Sequence, residues 1–196
     1  MSIASTDKND SRFERKFLRA PLKSICLYVD GENVFKARTL NISQNGILLF
    51  ELPHVPEITT IALAINLIKM PRLQTLVFDE VKALKEDQFD RTIIKLQAKM
   101  MRTFEGKSNV DKVFINYIGL EFCNHDNERS NIIADYIEVF TKNTIYLLSL
   151  FESLGNRIEQ LELLRTVAFL LGYDRRMKIP LLRAKVLHDY QSLESL

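Results

Sequence analysis

Between Leu22 and Cys123 the chain is a succession of short β-branched and aromatic runs cut by turn-forming residues, and this punctuation constrains the fold more than any other feature. The stretch Thr92 to Met100 is the clearest case. Ile94, Leu96, Ala98 and Met100 alternate with Lys95, Gln97 and Lys99, so one face of a strand meets a core and the other meets water. Upstream, Leu22, Ser24, Cys26 and Tyr28 alternate with Lys23, Ile25, Leu27 and Val29 and end at Asp30-Gly31, a strong hairpin signal. Val34 to Ile42 carries the return strand, Asn45-Gly46 supplies a second tight turn, and Ile47 to Leu52 runs until Pro53 and Pro56 stop it. Thr59 to Ile68 reads as a mostly buried strand, and Val113 to Cys123 closes the series, with Gly119 permitting a bulge or a close backbone approach. Six or seven such strands joined by turns predict a small antiparallel barrel. Leu76 to Asp90 fits either an inserted helix or a further hairpin.

After the polar connector Asn124 to Arg129 the period becomes helical. Ser130 is placed to cap a helix carrying Ile133, Ile137 and Phe140. Asn156 with Glu159 forms a cap pair ahead of Ile158, Leu161, Leu164, Ala168 and Leu171; Gly172 ends that helix, and Pro180 opens a last one through about Leu193. The stripe Ile158, Leu161, Leu164 and Ala168 has to pack on the barrel or on another chain. The organisation expected is therefore a mobile tail (1–11), a barrel with a basic arm (12–123) and a helical extension (124–196).

A hydrophobic content of 46% with 27% charged residues excludes a disordered chain, and 27 Lys+Arg against 25 Asp+Glu leave a charge of +2, so a ligand clue has to be local. The two cysteines, Cys26 and Cys123, lack zinc or redox spacing and read as buried free thiols. No apolar run is long enough to span a bilayer and the polar start lacks a secretory signal, so no membrane insertion and a cytoplasmic location are expected. His125, Asp126 and Glu128 read as a solvated connector before a metal cluster, and Arg175, Arg176, Lys178, Arg183 and Lys185 as a solvated helix face before a docking surface. No paired base and nucleophile is evident, so neither an enzyme nor a cofactor is expected.

Two local features carry chemistry. Five of the twelve residues from Arg12 to Lys23 are basic (Arg12, Arg15, Lys16, Arg19, Lys23), forming an arm whose forked guanidinium groups suit phosphates and the O6/N7 edge of guanine. In Asn41-Ile42-Ser43-Gln44-Asn45-Gly46, strand spacing puts the Asn41 amide and the Ser43 hydroxyl on one face, with Ile42 on the other, and Gly46 lets the chain turn. Neither group has a base beside it, so they form a hydrogen-bonding platform.

In this order the two pieces resemble the PilZ family of bacterial cyclic di-GMP receptors, whose signature is an RxxxR arm followed by [D/N]xSxxG: here Arg15 to Arg19 and Asn41 to Gly46. Tyr117 to Phe122 (YIGLEF) is similar to the family's closing strand. The resemblance implies a six-stranded antiparallel barrel, with Arg15 and Arg19 wrapping cyclic di-GMP and Asn41, Ser43 and Gly46 meeting a guanine; Arg12 is an auxiliary phosphate contact. Glu14 stands where many relatives carry another arginine, so one ligand molecule per chain is expected. Binding would order the arm and signal to a protein partner of motility or polysaccharide machinery, the C-terminal helices serving for output or homo-oligomerisation. The rival readings are a PilZ-like adaptor that does not bind nucleotide and a small-barrel binder of single-stranded nucleic acid, for which the sequence shows no obvious aromatic row.

Overall fold

The computed structural model describes residues 17–107, 114–123, 126–155 and 157–194. The expected tail, with Arg12 and Arg15 of the arm, lies outside them. Seven strands, β1 (Arg19–Pro21), β2 (Ile25–Asp30), β3 (Asn33–Ser43), β4 (Gly46–Phe50), β5 (Thr60–Ile68), β6 (Arg91–Lys107) and β7 (Phe114–Cys123), pair antiparallel in the order β1-β3-β2-β5-β6-β7-β4. The additional pairing of β3 with β4 closes the last six into a barrel, and β1 is an extra strand on the far end of β3. Closure leaves β2 and β5 with no free edge.

Alternation sets which residues face inward. Cys26 and Tyr28 of β2, Ile61, Leu63, Ile65 and Leu67 of β5, Ile94, Leu96 and Ala98 of β6, and Ile118 and Leu120 of β7 are all buried. The inward set on β6 is the one its sequence pattern gives. The stretch left open between Leu76 and Asp90 is helical: α1 (Phe78–Ala83) places Val81 in the core, and the Glu80 carboxylate accepts from the Val77 amide at 2.9 Å.

The two hairpin signals resolve differently. Asp30 and Asn33 pair across Gly31-Glu32, and Gly31 has a φ of 60°, the positive value that a two-residue hairpin needs at its first central position. In the second hairpin Ser43 pairs with Gly46 itself, so the turn is Gln44-Asn45, and Gly46 is the first residue of β4 rather than a corner. Its φ is not positive; the reason for glycine is space, since a Cβ there would lie 2.3 Å from the Leu120 carbonyl oxygen.

Three helices follow, α2 (Asn127–Glu152), α3 (Ile158–Leu170) and α4 (Ile179–Glu194). Asp126, not Ser130, caps α2, its carboxylate accepting from the Arg129 amide at 2.8 Å; Ser130 falls in the first turn because the helix begins four residues early. The expected cap Asn156 lies outside the described residues, and Arg157 occupies the N-cap position of α3 with no side-chain cap bond. Gly172, at φ 84°, ends α3: its amide donates to Phe169 O and that of Tyr173 to Ala168 O, the paired bonds of a Schellman stop. The apolar stripe of α3 is only half used. Leu164 and Ala168 are buried with Val167 and Leu170, but Ile158 is 83% exposed and Leu161 is open to solvent, so the buried part of the stripe begins at Leu164.

Polar groups stitch the extension to the barrel. Asn143 of α2, fully buried, accepts from the Leu73 amide at 2.8 Å and donates to Pro71 O at 2.9 Å. Tyr136 of α2 donates to Pro21 O in β1 at 2.8 Å, and Lys23 donates to Gly172 O at the end of α3. Part of the late basic cluster is engaged within the protein: Arg183 pairs with Glu152, and Arg175 lies over the Phe169 ring. No helix among the described residues is long and apolar enough to cross a membrane.

Candidate functional site

The register of five strands builds a site on the outside of the barrel. One cross-strand row reads Arg19, Ser43, Gly46, Glu121, Lys99, from β1 through β3, β4 and β7 to β6. The next row reads Pro21, Asn41, Leu48, Gly119, Arg102. Small residues in the middle and long ones at the edges make a cleft of about 390 Å³, lined by Phe17, Arg19, Asn41, Ser43, Gly46, Met101, Arg102 and Glu121 among others. At about 4.8 Å per strand, the path along the sheet from Arg19 to β6 is roughly 19 Å.

Two irregularities shape it. A register shift in β3 between Thr39 and Asn41 resets the alternation, and Thr39 is fixed inside by donating to Leu22 O at 2.6 Å. A second shift, between Met100 and Arg102 in β6, turns Arg102 outward opposite Gly119. The Arg102 stem lies across Gly119, where a Cβ would be 3.0 Å from its Cγ, and its guanidinium is 5.6 Å from the Phe104 ring. Phe104, Tyr117 and Phe50 then continue as a stacked row, with centroids 5.1 and 6.0 Å apart. An aromatic row is therefore present; the sequence hid it because its members come from three strands.

Of the residues singled out in the sequence, Arg19, Asn41, Ser43 and Gly46 come together in this cleft. Ile42 is fully buried beneath them, and the Ser43 hydroxyl, largely buried, donates to Gly46 O at 3.3 Å. Arg12 and Arg15 lie outside the described residues. Arg19 is not on a loose leader. Ala20 and Leu22 are buried on either side of Pro21, and β1 pairs with β3, because the arm alternates apolar residues that the barrel and α2 cover. Arg102 and Glu121 were missed. The signals for them were Gly119, which marks a close approach without naming the strand that approaches, and, for Glu121, its place in the YIGLEF stretch.

Electrostatics separate the cleft from the rest of the surface. Two arginines and one carboxylate line it, so anionic groups are favoured at its ends and hydrogen-bond donors at Glu121. Among the described residues no group of three or more His, Cys, Asp or Glu could hold a metal ion. Both thiols are free; Cys26 is buried, and burial pushes its thiol up to about 12, whereas Cys123, at the end of β7, is partly exposed and not buried as expected.

A family model described as the PilZ domain matches residues 13–138, which takes in the whole barrel and the first turns of α2. The chain belongs to the PilZ family. Among solved structures, this PilZ chain is similar to the inhibitor of motility MotI/DgrA of Bacillus subtilis, with a TM-score of 0.44 at 14% identity over 62% of this chain and 48% of that one. It is also similar to the PilZ domain of YcgR from Escherichia coli, solved with c-di-GMP (TM-score 0.42, 13% identity, 62% of this chain and 86% of that one). A third is PlzA of Borreliella burgdorferi in complex with c-di-GMP (0.39, 13%, 71% and 53%). The chain spans about half the length of the Bacillus and Borreliella proteins. No curated protein matches the sequence.

Proposed function

We propose that this PilZ protein is a cytoplasmic receptor, not an enzyme, that binds one cyclic di-GMP per chain in the cleft between β1 and β6. The observation that carries the reading is the row Arg19-Ser43-Gly46-Glu121, which puts a guanidinium, a hydroxyl, an unobstructed floor and a carboxylate in line. The ligand has two anionic phosphates and two guanines. Arg19 suits a phosphate or the O6/N7 edge of a guanine, and Asn41 and Ser43 suit hydrogen bonds along that base. Glu121 accepts where a guanine presents its N1 and N2 donors, and Arg102 serves the second base or phosphate from the far wall. Arg15 joins Arg19 in contacting the ligand, with Arg12 as an auxiliary phosphate contact.

The output runs through β1. Arg19 lies at the cleft, Pro21 two residues on is held by Tyr136 of α2, and Lys23 two further on is held by the end of α3. A ligand that draws on Arg19 therefore pulls on the helical extension, which presents the altered surface to a protein partner.

Calorimetric titration with cyclic di-GMP tests the reading. Binding with micromolar affinity and one ligand per chain is expected, with losses of about tenfold or more for Arg19→Ala and Arg102→Ala, since a charge-assisted bond contributes about 1.5–3 kcal/mol. No heat at tens of micromolar ligand sinks it. The stacked row Phe50-Tyr117-Phe104 beside Arg102 favours one second reading, a single-stranded nucleic-acid surface. An oligonucleotide that binds with a steep salt dependence and is not displaced by cyclic di-GMP would select it.

A further inference from the structure

On the opposite side of the barrel, the outward positions of β2 break the rule that the solvated face of an antiparallel sheet is polar. Ile25, Leu27 and Val29 are 47%, 43% and 36% exposed, and Val34 on β3 is 64% exposed. In the middle of the neighbouring strand β5 the outward residues are Ala62 and Ala64, so that stretch is a trough between larger side chains. The result is a groove of about 390 Å³ lined by Leu27, Val29, Val34, Ala62 and Ala64, with Cys123 and Arg129 at one end.

The rim of this groove is cationic. One cross-strand row reads Lys36, Leu27, Ala64, Lys95, an apolar centre between two exposed lysines. Along the sheet those lysines are three interstrand steps apart, a path of about 14 Å, and an α-helix with its side chains is about 10–12 Å across. Two of the carboxylates nearby are already engaged: Asp30 accepts from His54 Nε2 at 2.8 Å, and Asp126 pairs with Arg129 at 3.1 Å.

We propose that this groove docks an amphipathic helix of a partner protein, apolar along its centre and edged on both sides by Asp or Glu. A strand is not the occupant, because β2 and β5 have no free backbone edge and offer only side chains. Nor is a second copy, because face-to-face pairing would bring lysine rims together with no carboxylate among the groove-lining residues to oppose them. The surface is distinct from the nucleotide cleft and does not depend on it.

Cys123 provides a built-in reporter, since Cys26 is fully buried. A labelled synthetic helix of about five turns, leucine along one face and glutamate on both flanks, is titrated into the full chain beside a counterpart with lysine flanks. The glutamate peptide should bind about tenfold more tightly and slow iodoacetamide alkylation of Cys123. Lys36→Glu with Lys95→Glu, exposed changes that leave the urea midpoint in place, should reverse the preference. The proposal is overturned by equal binding of the two peptides, by binding of neither, by a preference indifferent to the charge reversal, or by a concentration-dependent dimer that itself shields Cys123.

Discussion

Replacing Gly46 by alanine isolates the close approach of β4 to β7. The added Cβ would lie 2.3 Å from the Leu120 carbonyl oxygen, about 1 Å short of ordinary contact, and the obstacle is backbone that cannot rotate away. β4 is held on its other side by β3, so β4 and β7 have to separate. That separation strains the packing of Ile47 and Leu49, both buried, and lengthens the bond from the Phe122 amide to Asn45 O, now 2.8 Å. Overpacking costs about 1–3 kcal/mol and a weakened hydrogen bond about 1 kcal/mol, a total of about 2–4 kcal/mol. With a urea slope of about 2 kcal/mol per molar, the midpoint should fall by about 1–2 M at unchanged slope. Two glycines serve as controls. In Gly119→Ala the new Cβ meets only the flexible Arg102 side chain, which can move, so the cost stays below about 1 kcal/mol. In Gly31→Ala there is open space but a φ of 60°, which costs about 1–2 kcal/mol. A Gly46→Ala midpoint within about 0.3 M of the parent, or a smaller loss than in the two controls, refutes the reasoning.

The remaining expectations rest on single contacts. Asn143→Ala strands the Leu73 amide and Pro71 carbonyl in a buried setting and should cost about 2–4 kcal/mol by thermal or urea unfolding. Tyr136→Phe removes the bond to Pro21 O for about 1 kcal/mol, and amide exchange should quicken in β1 and its partner end of β3 while the β5–β6 pair is unaffected. The hydrogen bond from His54, aided by the Glu57 amide, holds the Asp30 carboxyl below its ordinary 3.8. A depressed carboxyl stabilises above its unfolded value and loses that contribution as pH falls through the folded one. Asp30→Asn should therefore be less stable than the parent at neutral pH, with the difference closing below about pH 4 in acid titration of the unfolding midpoint.

Much of the barrel was legible because strand alternation is local. Ile94, Leu96 and Ala98 face inward as their spacing requires, and Asn41 and Ser43 reach one cleft because Ile42 between them is committed to the core. Helix starts were less legible: Ser130 is a good cap residue, but Asp126 stands earlier with the same chemistry, and whichever one meets a free amide is settled by where β7 ends. The exposure of Ile158 could not be read from α3 alone, since an apolar stripe states that a partner is wanted, not how far along the helix it extends.

By itself the sequence determined most of the strands, the β2–β3 hairpin and the polar face of β3, all properties of neighbouring residues. Tertiary structure decided what those pieces meet. The bulge that turns Arg102 outward, the carbonyl that requires glycine at 46, and the placement of Glu121 in line with Arg19 depend on register across five strands. Register is a long-range property, fixed only once the buried faces of all the strands have to share one core.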